Sequence, residues 1–462
     1  MEPRKPWVKP ALIPHRTGLQ NKFGAMHRPT YQSEVDGVEI APLLAQYGSP
    51  LFILSEKTLR GNARRLHRAF ATRWPNVRHG WSYKTNYLGA VCNTLHQEGF
   101  WAEVVSEFEY LKARSLGVSG ARIIFNGPWK PDGILEQAAR EGATINIDHL
   151  DELYALEQIA QKLGKQVLVG IRLNFDTGYT DAWGRFGFNV ESGAAKQAVQ
   201  RIGASSWLKL NGLHSHIGTY VVDVRAYAAQ ARIMCDFMET AERNCQGTIE
   251  YLDIGGGFAS RNALQGQYLP PDQVVPSFEQ YAEAITGALM EATQSRVAAG
   301  KPRPTLILET GRALVDDAEI LVTKVVGGKR LPDGRRAAIL DAGVNLLFTG
   351  FWYNHEIMPL RQLEGMPEET VLYGPLCMNI DVMRASIMLP PLNVGDALAF
   401  HSVGAYNNTQ WMQFIQYRPA VVMIASSGKA EVVRVAENLE TINCMERLPE
   451  ALRDPFPEHL PT

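Results

Sequence analysis

Short apolar runs alternate with helical stretches over more than half of this chain, and that alternation constrains the fold more than any other feature. The strand candidates are Gly80–Lys84, Trp101–Ser106, Arg122–Asn126, Thr144–Asp148, Val167–Asn174, Gly212–Gly218, Tyr251–Gly257 and Thr305–Arg312. Leu59–Trp74, Glu107–Leu116, Leu150–Leu163 and Val224–Cys245 lie between them, with apolar residues at three- and four-residue spacing. About eight strand–helix units close a parallel (β/α)8 barrel of the TIM type, although an open doubly wound sheet carries the same local pattern. The run endings favour the barrel. Most finish on a polar or glycine group, from Lys84, Ser106, Asn126 and Asp148 to His216, Gly255–Gly257, Glu309 and Arg312. In a barrel, chemistry collects at the strand carboxyl ends.

Beyond Leu314 the rhythm changes to short β-rich runs with turns such as Pro332-Asp333-Gly334 and no long helix, which predicts a second, mainly antiparallel β domain. The expected division is 1–54 for an N-terminal arm and strands joining the β domain, 55–315 for the barrel and 316–462 for the β domain. Residues 1 to 35 or so, rich in Pro, Arg and Lys, read as an irregular arm. With 462 residues, 45% hydrophobic, the chain can bury such a core; its net charge of −2 and lack of a long basic run argue against nucleic acid or an acidic membrane as the main partner. Five separated cysteines form no CxxC pair, so neither structural zinc nor a disulfide framework is expected. The start carries no apolar leader pattern, and a soluble, cytoplasmic protein is the reading that follows.

Several groups carry chemistry. Lys84 ends a strand-like run; a buried amine there is either a snorkelling rim lysine or one whose lowered pKa suits it to bond a carbonyl carbon. His214 and His216 share one strand face, as core histidines or as ligands, but no third metal ligand lies at a suggestive spacing. Gly255-Gly256-Gly257 forms a loop whose amides can approach a phosphate, though many tight turns look alike. Glu309-Thr310-Gly311-Arg312 offers a carboxylate and a guanidinium fork, or an ordinary ion pair. Cys377, with Asp381 close behind it, is either a reactive thiol or a small buried residue; Tyr406 either reaches a phosphate or packs in the β domain.

Together and in this order, the pieces resemble the fold-type III pyridoxal-phosphate decarboxylases, the family of diaminopimelate, ornithine and arginine decarboxylases, from about residue 40 to 440. The resemblance implies pyridoxal 5'-phosphate as cofactor and Lys84, in Tyr83-Lys84-Thr85-Asn86, as its Schiff-base lysine. It implies that His216 stacks on the cofactor and that Glu309 faces the pyridine nitrogen. Thr219, Gly255, Gly256, Gly257, Gly311, Arg312 and Tyr406 become cofactor-binding residues, and Cys377 the proton donor, delivered from the second subunit of a homodimer with shared sites. Arg312, Tyr353, Asp381 and Tyr406 are the expected substrate contacts.

Departures bear on the substrate. Diaminopimelate enzymes carry Glu-Ser after the cysteine, where this chain has Met378-Asn379. They also carry Arg-Pro in the segment that reads Leu346 to His355 here, without arginine. The sequence therefore points to a different diamino acid, lysine or ornithine of either hand. The alternatives are meso-diaminopimelate itself, a siderophore-type intermediate, or amino-acid racemisation on the same barrel.

Overall fold

The computed structural model describes residues 31–245 and 247–453, so most of the arm expected at the N-terminus lies outside the described residues. Eight parallel strands close a barrel: β1 (Val77–Ser82), β2 (Trp101–Val104), β3 (Ile123–Phe125), β4 (Thr144–Ile147), β5 (Val167–Asn174), β6 (Leu208–Ser215), β7 (Tyr251–Asp253) and β8 (Thr305–Leu308). Each pairs in parallel with its neighbour in chain order, and β8 returns to β1 through Leu306 opposite Val77. All eight overlap the apolar runs of the sequence, with ends that shift by up to four residues. The open doubly wound alternative is thereby excluded.

The strands are buried along most of their length because helices cover them outside and side chains fill the barrel within. Trp81, Ile123, Phe125, Ile145, Ile147 and Leu306 are fully buried. The helices start and stop on short signals. Ser106 accepts from the Glu109 amide at 3.2 Å to open Glu107–Ser115. Gly164, at φ +60°, closes Leu150–Leu163 with a left-handed turn that a Cβ would oppose.

A second sheet, mainly antiparallel, is built around the strand Glu319–Arg330, which pairs antiparallel with Arg336–Leu340, Ala397–Phe400 and Leu51–Ser55. Two pairings in it are parallel: Leu51–Ser55 with Val421–Ile424, and Arg336–Leu340 with Glu368–Tyr373. The N-terminal strand Leu51–Ser55 thus completes a sheet otherwise drawn from the C-terminal third. Val382–Leu389 and Ile357–Pro359 are strands the sequence did not disclose. The loop from Ser402 to Trp411 leaves this sheet and packs on the barrel mouth, where the Tyr406 amide donates to the Thr85 carbonyl (2.8 Å) and Thr409 Oγ1 to the Lys84 carbonyl (3.0 Å). No described helix is long and apolar enough to cross a membrane.

Candidate active site

At the carboxyl end of the barrel a cavity of about 340 Å³ gathers Lys84, His216, Thr219, Gly256, Gly257, Glu309, Gly311, Arg312 and Tyr406. Lys84 does not end the strand, as the sequence suggested. It stands on a 3-10 turn, Tyr83–Thr85, that follows β1. Its Nζ donates to Glu103 Oε2 at 2.6 Å, and Ser82 Oγ donates to the same oxygen at 2.7 Å. Asn126 Nδ2 then bridges Glu103 Oε1 (3.1 Å) and Glu309 Oε1 (2.5 Å), joining the two carboxylates through one amide.

Glu309 also faces the His214 ring at 3.4 Å, and Asp253 completes a buried trio whose ligand-capable atoms lie within 4.8 Å of one another. The sequence offered His214 no such partners, because Asp253 ends β7 and Glu309 follows β8, near it only in space. His216 Nδ1 accepts from the Gly256 amide at 3.1 Å, and Trp183 meets the ring edge-on at 5.3 Å between centroids.

The three glycines divide. Gly255 does not line the cavity, and its amide donates to Asp253 Oδ1 (2.9 Å). A Cβ on Gly256 would lie 2.2 Å from the Glu309 carbonyl oxygen, so this glycine is required by strand packing. Gly257, at φ +91°, lines the cavity while a Cβ there would meet the Gly218 carbonyl. Gly311 allows a similar approach, since its Cβ would fall 2.2 Å from Thr85 Oγ1 and push on the Lys84 turn.

Arg312 lies between the rings of Tyr353 and Tyr406, 4.8 and 4.9 Å from their centroids. Its Nε and Nη1 are buried without an acceptor. Buried charged donors left unpaired are costly, so this site is made for an anion. Two expected residues lie elsewhere. Asp381 is not a free substrate contact: it is 3% exposed and accepts from the Val344 and Leu376 amides, both at 2.8 Å, pinning the turn after Gly374. Cys377 is exposed on that turn and lines neither the cavity nor the chamber beside it.

A family model described as pyridoxal-dependent decarboxylase, pyridoxal binding domain, matches residues 60–316, more than half of the chain. The chain belongs to this family of decarboxylases. Pyridoxal phosphate is its cofactor and carboxy-lyase chemistry its activity. The residues fit: one cavity holds an amine, a buried carboxylate, and a guanidinium with two unpartnered donors. The diaminopimelate decarboxylase of Methanothermobacter thermautotrophicus is 28% identical over 431 residues, which cover 90% of this chain and 96% of that protein. The crystal structure of the diaminopimelate decarboxylase from Methanocaldococcus jannaschii has a TM-score of 0.83 at 26% identity, covering 92% of this chain and 99% of that one. A lysine/ornithine decarboxylase from Vibrio vulnificus, complexed with cadaverine, reaches a TM-score of 0.70 at 25% identity over 84% of this chain and 97% of that one.

The electrostatics of the decarboxylase site correct one expectation. Burial does press the Lys84 amine towards its neutral form, but Glu103 and Glu309 outweigh it and hold the pKa above the ordinary lysine value. The side chain is 40% exposed, towards the cavity. Burial pushes Asp253 well above the carboxylate range, reinforced by Glu309 beside it. Glu309 goes the other way: burial opposes its charge, yet His214, Asp253 and Lys84 keep it ionised. One of the two acids keeps its proton so that the other can hold a charge. Burial lowers His216 to about 3, with Arg172 and Lys84 adding to the effect, so the imidazole is neutral.

Glu103, Asn126, Arg172 and Trp183 also line the cavity and were not named as site residues from sequence. The signal for Glu103 was present: an acid inside the apolar run Trp101–Val104, where a buried charge needs a partner.

Proposed function

We propose that this enzyme decarboxylates an α-amino acid other than meso-diaminopimelate, with Lys84, His216 and Cys377 as its catalytic residues. The observation that carries the reading is the pairing, in one cavity, of the Lys84 amine with the acceptor-less Arg312 guanidinium. Lys84 would hold the cofactor through its amine, and Arg312, Gly256, Gly257, Thr219 and Tyr406 would hold its phosphate. Glu309 would take the ring nitrogen, which needs an anion there, and the neutral His216 would lie against the ring.

When bound, pyridoxal phosphate supplies an electron-withdrawing ring that accepts the electron pair of the Cα–carboxylate bond. The protein's part is to orient that bond, keep Glu309 charged and deliver a proton to Cα in place of the lost carboxylate. Cys377 would be that acid. Its exposed turn lines neither the cofactor cavity nor the adjoining chamber among the described residues, which supports a homodimer in which each copy completes the other's site.

The substrate reading rests on what the walls offer. The segment Leu346 to His355 contributes Thr349, Trp352 and Tyr353 to the adjoining chamber, all neutral. Lysine and ornithine remain the diamino acids expected from sequence, but Asp381 is held by its own turn and is not free for a distal ammonium.

The test is carbon dioxide release from a panel of amino acids with added pyridoxal phosphate, alongside Lys84→Ala. The expected result is turnover of at least one amino acid besides meso-diaminopimelate, and no visible cofactor absorbance in the variant. Efficient use of meso-diaminopimelate alone would overturn the substrate reading; racemisation without gas release would overturn the reaction.

A further inference from the structure

Beside the cofactor cavity lies a second chamber of about 440 Å³, and the two share Trp183, Thr219, Arg312 and Tyr406. The remaining wall is Tyr220, Leu264, Thr349, Trp352, Tyr353 and Gln410. It is assembled across the molecule. Leu264, in the loop after β7, and Tyr353, in the loop after Leu340, face each other in a two-residue antiparallel ladder. Tyr220 stacks obliquely on Tyr353 at 5.4 Å. A substrate whose Cα sits near Lys84 has this chamber as open space for its side chain.

Among the described residues Arg312 is the only charged group on the chamber wall, and its place is already taken. Its guanidinium covers one face of each of the Tyr353 and Tyr406 rings, and its positive charge repels a distal ammonium. Arg312 lines the cofactor cavity as well, where an anionic tail would use its unpartnered donors. Asp316, whose charge acts on Tyr220, Tyr353 and Arg312, is buried behind the wall and accepts from Ser260, Asn262 and the Ala405 amide. Glu103 and Glu309 line the first cavity only, held by Lys84, Ser82 and Asn126 in one case and by Asn126 and His214 in the other. Two of the wall's hydroxyls are engaged: Tyr220 donates to the Asn262 carbonyl, and Thr349 is bonded to His355 and Asn407. Should a second copy bring the Cys377 turn to this mouth, it adds Met378, Asn379 and Ile380, none of them charged.

Resting on the decarboxylase reading above, we infer that the amino acid consumed carries a bulky, uncharged distal group, aromatic or long aliphatic. A charged distal end would lose its hydration in this chamber and gain no counter-charge. A ring or alkyl chain would exchange water for the Trp183, Trp352, Tyr220 and Leu264 surfaces.

The experiment uses the holoenzyme and two readouts, carbon dioxide release and the concentration of amino acid that half-shifts the cofactor absorbance. Both enantiomers of phenylalanine, tyrosine and leucine are compared with lysine, ornithine, glutamate and meso-diaminopimelate. The expected result is kcat/KM higher by about tenfold or more for the uncharged set. Trp352→Glu, at an exposed position on the rim, should then move the preference towards lysine. Equal or better use of any charged amino acid by the wild-type enzyme overturns the inference. If no amino acid releases carbon dioxide while the uncharged set still shifts the absorbance at lower concentration, the decarboxylase reading falls and the chamber's selectivity stands. If none shifts the absorbance, both fall.

Discussion

A protonated amine has no lone pair to offer a carbonyl carbon, so the contact between Lys84 and Glu103 sets a pH dependence. Since the folded-state pKa of Lys84 is raised, the reactive amine is scarce at neutral pH and grows more abundant as pH rises. Capture of pyridoxal phosphate by the apo-enzyme should therefore accelerate with pH. Glu103→Gln removes the nearest counter-charge and should move that profile down by about one pH unit or more, read by stopped-flow absorbance. A profile that does not move would show that Glu103 does not govern the amine. Arg312→Met tests the other end of the cavity. Losing a buried guanidinium with two free donors should weaken cofactor affinity by about a hundredfold, seen in an equilibrium titration. Motif order pointed to both residues from sequence alone. Glu103 escaped notice because its partner lies one strand away and nothing local marks the pair.

Among the elements, the loops after β3 and β4 are tied together by a second lysine that has no part in the chemistry. Lys130 Nζ donates to the Gly127 and Asn146 carbonyls (2.9 and 3.1 Å) and to Glu152 Oε1 (2.7 Å), with both side chains almost wholly buried. Lys130→Met strands the Glu152 charge and should destabilise the fold by about 3–5 kcal/mol. Adding Glu152→Leu should recover much of that loss, both measured by urea unfolding. The helices Leu150–Leu163 and Val224–Cys245 coincide with their sequence-read limits because amphipathic periodicity and capping are local properties. The strand Val382–Leu389 was not legible, since half-exposed positions give it a mixed composition without clean alternation. The Lys84 turn was misread as strand for a related reason: its shape depends on Gly311, in the turn after β8, and the Thr85–Tyr406 contact, both distant in sequence.

At the scale of the whole molecule, three histidines are buried in neutral form, His79 and His216 lowered to about 3 and His355 to about 4, each chiefly by desolvation. Unfolded, each would take up a proton near pH 6.5, so the unfolded chain binds more protons below that point and stability falls as pH drops towards 4. The urea midpoint should be lower at pH 5 than at pH 7, and His355→Gln should reduce that difference by about 2 kcal/mol. Assembly gives a separate expectation. Mixed Lys84→Ala and Cys377→Ala chains, each inactive alone, should regain about a quarter of wild-type activity through hybrid dimers if the sites are shared. The barrel, the cofactor and the order of the reactive groups were determined by sequence, because strand–helix period and strand-end chemistry are carried by neighbouring residues. The charge state of Lys84, the fixing of Asp381 within its own turn and the largely aromatic chamber were decided only in three dimensions. Each depends on groups from separate elements brought within a few ångströms, and Coulomb and desolvation energies turn on that distance.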